Sequence, residues 1–352
     1  MQNVRLKTSG ICCIFVCLLF CGCSLLAGKV YSHAFNRIEE LPDEQFSVYL
    51  RWKDIDQIRY QRKDVHFYSG ENRLLGFIYG ETNNRGLVIV SQGLGNTTEN
   101  YLSLIMFFVD KGWCVFAYNN TGVGSSQGES VRGLTQSVFD LDAALKFINQ
   151  SGAFNNLPIM LLGHSWGGYA SCAILNFDYK INAVASFAGF YNGSDVIDKL
   201  SVFTVGRIYN LFAGNVRDIE RQMFGDTMNL NAVDGINKSG IPVMIAQSVD
   251  DDVIFADSIS IYAHRDKITN PNAQFVFFDG EEATGHEFVF YSTAQRDYLK
   301  LADQSWKIYK TKNKNASRFQ WAKEFNFDVF KANELNAALM ERINQMFLAA
   351  AQ

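Results

Sequence analysis

From Val65 onward the apolar positions fall into short runs of two alternating kinds. GLVIVSQG, WCVFAY, PIMLLG, INAVASFAG, IPVMIAQS and AQFVFFDG are nearly continuous apolar runs of strand length, as strands buried on both faces should be. Between them lie amphipathic stretches: NYLSLIMFFVDKG, where Tyr101, Leu104, Ile105 and Phe108 recur at helical spacing before Gly112, then SVFDLDAALKFINQ, WGGYASCAILNF and FADSISIYAHRDKI. Strands alternating with helices predict βαβ units and a doubly wound, mostly parallel α/β sheet. Ahead of them, VHFYSG and LLGFIYG form a hairpin-like pair around Gly70 and Glu71-Asn72. The alternation lapses over residues 190–238, which mix aromatic and polar positions. That lapse predicts a helical lid inserted over the carboxyl edge of the sheet, where α/β proteins place their ligands. Residues 292–352 predict a helical extension: AQRDYLKLADQSWKIYKTK, a basic and polar bend, and the amphipathic ANELNAALMERINQMFLAAA.

The amino terminus breaks this pattern. Arg5 and Lys7 precede an uncharged stretch from Thr8 to Gly28 whose centre, ICCIFVCLLF, has the character of a signal-peptide core. Residues 1–28 are therefore expected to be an export segment. Three fates stay open: an uncleaved anchor, since about 20 apolar residues span a bilayer; cleavage near Ala27; or lipoprotein processing at Cys23, because Phe20-Cys21-Gly22-Cys23-Ser24 resembles a lipobox. An exported chain tethered to the membrane of the cell envelope, facing outside the cytoplasm, is the expectation. Residues 29–61, polar and charged, are expected to be a spacer or peripheral helix, leaving 62–352 as the folded domain.

Composition narrows the function classes. With 32 Lys+Arg against 36 Asp+Glu, only 19% charged residues and 48% hydrophobic ones, the chain is neither disordered nor a polycationic nucleic-acid binder. No nucleic-acid partner is expected. Cys12, Cys13, Cys17, Cys21 and Cys23 crowd the first apolar run, leaving Cys114 and Cys172 in the domain. A disulfide framework is not expected, and these two thiols read as inert core residues.

Reactive chemistry concentrates in LLGHSWGGYAS. Gly163-x-Ser165-x-Gly167 lies between a predicted strand and a predicted helix, the context in which a sharp turn lifts a serine hydroxyl above the sheet as a nucleophile. Such a hydroxyl needs a base, usually histidine. His33 falls in the spacer, His66 on the first strand, His164 beside the serine without reach to its hydroxyl, and His264 in a helical run. His286 remains, in the loop ATGHEF after a strand. The order Ser, acid, His then calls for an acid between them. Asp251, after IPVMIAQSV, is the first choice, with Asp250, Asp252 and Asp195 as alternatives. Two N–H donors must meet the developing oxyanion; Trp166, after the serine, and Leu94 in Gln92-Gly93-Leu94-Gly95 are assigned.

Taken in order, QGLG, YNNTGVGSSQG, GHSWGG, SVDDDVI and TGHEF resemble the α/β-hydrolase fold, in particular its serine aminopeptidase and monoacylglycerol-lipase-like bacterial branch, over roughly Val65 to Tyr291. The resemblance implies hydrolysis of an ester, thioester or amide through an acyl-serine, without metal or organic cofactor. It departs from the family at Gln92, where His is usual, and at Asn119, Asn120 and Thr121, where Asp and Arg are common. Three functions follow: a membrane-tethered serine hydrolase of carboxylesterase or lipase type acting on an apolar acyl substrate, a catalytically inactive surface lipoprotein used for binding, and a serine aminopeptidase. Phe190, Tyr191, Phe203, Tyr209 and Phe212 are candidates to wall an apolar pocket or to pack the lid itself. For a peptide substrate, Glu281 and Glu282 are candidate contacts to the amino terminus.

Overall fold

The computed structural model describes residues 27–154 and 156–352, with only the backbone at Val205. Cys23 and the run before it lie outside the described residues. Among the described residues no helix is long and apolar enough to cross a membrane.

Eight strands form one sheet in the order β1-β2-β4-β3-β5-β6-β7-β8. The hairpin β1 (Arg62–Ser69) and β2 (Asn72–Tyr79) turns on Gly70, which takes φ +57°, and β2 joins β4 antiparallel. The rest is parallel: β3 (Leu87–Ser91), β4 (Cys114–Tyr118), β5 (Ile159–His164), β6 (Ala183–Phe187), β7 (Val243–Ser248) and β8 (Ala273–Phe278). Their character follows from sequence. LVIVS, CVFAY and AVASF are buried at every position and occupy the middle, whereas RKDVHFYS is largely exposed and lies at the edge. Helices cover both faces, so the central strands have no solvent side. On one face α1 (Leu102–Asp110) and the last helix, α9 (Ala337–Ala350), meet through Phe108 and Phe347 and through Trp113 Nε1, which donates to Asn344 Oδ1 at 2.9 Å. The other face carries α2 (Gln136–Ser151), α3 (Trp166–Ala173) and the lid.

The chain leaves β3 toward β4 but returns on the opposite side of β3 to form β5. That reversal opens a crevice between the carboxyl ends of β3 and β5, where open α/β sheets bind ligands. The lid comprises α4 (Gly193–Val205), α5 (Ala213–Phe224) and α6 (Ala232–Ser239). Beyond β8 come α7 (Thr293–Lys312) and α8 (Arg318–Phe325), the latter in the stretch expected to be a bend.

Two expectations fail here. FADSISIYAHRDKI is not an α-helix: only a 3-10 segment, Tyr262–Lys267, forms, and His264 interrupts it at φ −104°, ψ 16°. Its apolar positions Ile259 and Ile261 are buried from a turn instead. Residues 29–61 are not a free spacer. Residues 27–34 are helical, and Ala27, Tyr31 and Phe35, four residues apart on one stripe, are buried in the main core. Arg37 donates to the carbonyls of Gly124, Ser126 and Gly128, while Leu50, Ile55 and Tyr60 enter the core of the other face. This polar stretch is a strap docked by Tyr31, Phe35, Leu50, Ile55 and Tyr60, while Leu41 and Ile58 stay exposed.

The strap meets the lid at a buried carboxyl. Tyr31 Oη donates to Glu220 Oε1 at 3.2 Å, and Ser194 Oγ lies 3.5 Å from Oε2. Burial, only partly offset by these two donors, raises the Glu220 pKa to about 7. The folded state thus holds a proton that the unfolded chain releases near 4.5, so this group's stabilisation is complete below that pH and is lost as pH rises through 7. The unfolding free energy from urea titrations at pH 4.5 to 8 should fall for the wild type, by on the order of 3 kcal/mol or less. Glu220→Gln, always neutral, should flatten that fall.

Candidate active site

The turn from β5 into α3 is as tight as a backbone can make it. Ser165 sits at φ +53°, ψ −112°, a conformation costly for a side-chain-bearing residue. Its N–H donates to Phe187 O at 2.8 Å and its carbonyl accepts the first helical bond, from Tyr169 N at 2.9 Å. The flanking glycines are required by proximity: a Cβ on Gly163 would lie 2.1 Å from Gly167 O, and one on Gly167 would lie 2.0 Å from Ser91 O. Neither takes a positive φ. The end of β3 therefore presses on the start of α3 with no side chain between.

Ser165, Asp251 and His286, carried by the turns and loop that follow β5, β7 and β8, come together in one hydrogen-bonded row. His286 Nε2 lies 2.9 Å from Ser165 Oγ, and His286 Nδ1 lies 2.9 Å from Asp251 Oδ2. A carboxylate can only accept, so Nδ1 carries the proton and the Nε2 lone pair faces the hydroxyl. Asp251 is fully used: Gln247 Nε2 donates to Oδ2 at 2.8 Å, and the N–H groups of Val253 and Ile254 donate to Oδ1 at 3.0 and 2.7 Å. All three members are buried, Ser165 being 8% exposed and Asp251 4%, so the row works at low dielectric where charge interactions are strong.

The three alternative acids lie elsewhere. Asp195 lies in the first turn of α4, where its backbone N–H donates to Asn192 Oδ1 at 2.7 Å, and Asp252 is exposed. Asp250 Oδ1 accepts from Gly285 N at 2.8 Å rather than from the His286 ring. His264 stacks on Tyr191 with ring centroids 4.1 Å apart.

Leu94 follows β3 and Trp166 follows β5, at the carboxyl ends of the two strands where the strand order reverses. Trp166 is the first residue of α3, whose leading N–H groups have no intrahelical acceptor. Leu94 lies in a turn closed by Asn96 N to Gly93 O at 3.3 Å. Neither N–H has an acceptor among the described residues. Gln92, which stands where His is usual, is buried and donates from Nε2 to Asn96 O at 2.8 Å, tying the two ends of that turn. Asn119 Oδ1 accepts from both N and Oγ1 of Thr98, holding the exit of the same loop.

His164 does not reach the serine hydroxyl, and its contacts arise only in three dimensions. His164 Nε2 lies 3.0 Å from the carbonyl oxygen of His286, which can only accept, so Nε2 carries the proton. Nδ1 then accepts from Tyr101 Oη at 2.9 Å, and that oxygen accepts from Gly93 N at 2.7 Å. One directed chain thus links the Leu94 loop to the backbone of His286. Burial, together with repulsion from the neighbouring His286, lowers the His164 pKa to about 4, so this ring stays neutral at pH 7. Its only sequence signal is its place beside Ser165.

Several expected contributors to a pocket are packing residues. Phe190 stacks on Tyr169 at 4.5 Å, and Tyr209 and Phe212 pack edge to face at 5.3 Å, all three buried. Tyr191 faces His264, and Phe203 is 76% exposed on the lid. Glu281 and Glu282 are exposed in a 3-10 turn, Gly280–Glu282. Cys114 and Cys172 are buried free thiols, each pushed by burial up to about 12. Among the described residues no cluster has the composition to hold a metal ion.

Residues 82–221 match the family model described as serine aminopeptidase, S33, a stretch that contains Leu94, Ser165 and Trp166. Human monoglyceride lipase is 32% identical over 84 residues, which are 24% of this chain and 28% of that protein. The chain therefore aligns with less than a third of that relative's length. Two crystal forms of the esterase Pf2001 of Pyrococcus furiosus superpose with a TM-score of 0.52 at 15% and 16% identity, covering 82% of this chain and 98% of theirs. At that identity the likeness concerns the fold. With the strand order, the elbow at Ser165 and the match over residues 82–221 in agreement, the chain has the α/β-hydrolase fold.

Proposed function

We propose that this protein is a membrane-tethered serine hydrolase that cleaves an ester, thioester or amide bond of an apolar acyl substrate through an acyl-serine. The hydrogen-bonded row Asp251, His286, Ser165 carries the reading, because it supplies nucleophile, base and orienting acid in the protonation states the chemistry needs. Ser165 Oγ attacks the carbonyl carbon while its proton passes to His286 Nε2. The carbonyl oxygen becomes an oxyanion between the N–H groups of Leu94 and Trp166. Collapse expels the leaving group, which takes the proton from His286. Water then repeats the sequence on the acyl-serine and releases the acid. Asp251 stays ionised and stabilises the imidazolium.

Lid composition supports an apolar substrate. Phe203, Ile208 and Leu211 are 76, 60 and 73% exposed within nine residues of chain, and such a concentration of exposed apolar surface marks an interaction site. The uncharged run from Thr8 to Gly28 supports the tether, since the strap carries the chain from that run directly onto the lid. An inactive binding protein would have no use for a fully satisfied Asp251 or a base in contact with the serine.

A fluorophosphonate probe should label the protein at Ser165, and Ser165→Ala should abolish labelling. A folded wild type left unlabelled would favour the binding-only reading. Turnover of a panel of acyl esters, thioesters and aminoacyl amides identifies the bond cleaved. On the best substrate His286→Ala and Asp251→Asn should each lower kcat on the order of 10³-fold or more, with His264→Ala near wild type; equal losses at His286 and His264 would remove the base assignment. For the tether, intact mass of detergent-extracted protein should give a mature chain beginning at a lipid-bearing Cys23. Met1 in that protein would instead establish a retained anchor.

A further inference from the structure

His286 reaches the serine from a loop with little structure of its own. Between β8 and Phe288 the chain makes one exposed 3-10 turn, Gly280–Glu282, and then takes φ +73° at Gly285, a left-handed conformation suited to glycine. A base on such a segment is in register with Ser165 only if its backbone is held from outside. The carbonyl side is held by His164. The amide side is held by two residues that the hydrolytic mechanism does not use.

Ser248 is the last residue of β7 and is fully buried. Its hydroxyl accepts from Thr284 N at 3.0 Å and donates to Asp250 Oδ1 at 2.6 Å. The same Oδ1 accepts from Gly285 N at 2.8 Å. Consecutive aspartates therefore grip consecutive loop residues: Asp250 holds the Gly285 backbone and Asp251 holds the His286 ring. The rungs share one stretch of chain on each side, so sliding the loop breaks both together. Glycine at 248 would leave Thr284 N–H without this acceptor and Asp250 without its buried donor.

We propose that Asp250 and Ser248 are positioning residues for the base, clamping the Thr284–Gly285 backbone so that His286 stays in hydrogen-bond contact with both Ser165 and Asp251. The clamp acts through geometry. Asp250 is exposed, so water and salt screen its charge, while what it supplies to the loop is an acceptor atom at a fixed point. This assignment rests on the acyl-serine reading for its catalytic consequence, though the clamp itself is a property of the fold.

The test uses the full chain with Asp250→Ala, Asp250→Asn and Ser248→Ala, with p-nitrophenyl butyrate as substrate. Asp250→Ala and Ser248→Ala should lower kcat about tenfold or more, since ångström-scale misplacement of a catalytic group is costly, with KM within about twofold because substrate contacts are untouched. Asp250→Asn keeps an Oδ1 acceptor and should recover most of the loss. Hydrogen exchange at the Thr284 and Gly285 amides should accelerate in the two alanine variants and stay slow in Asp250→Asn. The downfield proton resonance of His286 Nδ1–H should weaken in the same pattern. Wild-type kcat in Asp250→Ala overturns the proposal, as does Asp250→Asn behaving like Asp250→Ala. Unaltered Gly285 exchange in a folded Asp250→Ala variant also overturns it, whatever the kinetics. Failure of the acyl-serine reading looks different: the wild type would be unlabelled and inactive, while exchange at Gly285 still reports on the clamp.

Discussion

Everything at the site depends on how closely the end of β3 approaches the start of α3. With no Cβ on Gly163 or Gly167, the backbone passes within contact of Ser91 and Gly167 carbonyls, and only that approach lets Ser165 take its strained, outward conformation. The same closeness brings the loop after β3 beside the first N–H groups of α3. Ser165 and the Leu94 and Trp166 N–H groups are thus placed by one packing event. Strain at Ser165 persists because the sheet on one side and α3 on the other over-determine it.

His286 is held differently. It belongs to a loop, and loops acquire precision from their partners rather than from their own hydrogen-bond ladder. Three sources converge: His164 on its carbonyl, the Ser248–Asp250 pair on the preceding amides, and Asp251 on its ring. The two histidines are chemically separated by environment. Burial outweighs the neighbouring carboxylates and keeps His164 neutral, whereas the His286 ring is hydrogen-bonded to Asp251 Oδ2. The two rings, 5.0 Å apart, thus meet different partners.

The strap and lid form a second, softer layer. Tyr31 from the strap and Ser194 and Glu220 from two lid helices share one buried carboxyl, and this junction joins the amino-terminal strap to the part of the protein that carries exposed Phe203, Ile208 and Leu211. Burial raises the pKa of this carboxyl, so the junction is one place where protonation and packing are linked.

Local pattern alone determined the alternating strands and helices, the lid insertion, the elbow serine and the histidine, because buried parallel strands are uniformly apolar and a glycine-flanked serine between strand and helix has few other readings. Elimination among five histidines then left His286 for the base. Tertiary structure alone decided the rest. Asp250, Asp251 and Asp252 have the same composition and neighbouring positions, and which one meets the imidazole depends on the turn after β7, not on residue type. The use of His164 is invisible in sequence because its partner is a backbone carbonyl 122 residues away. Residues 29–61 read as a spacer because their apolar residues are few, yet burying Tyr31, Phe35, Leu50, Ile55 and Tyr60 against the two cores suffices to dock the strap. FADSISIYAHRDKI has helical spacing but packs as turns, since burial of Ile259 and Ile261 against the core outweighed a weak helical preference.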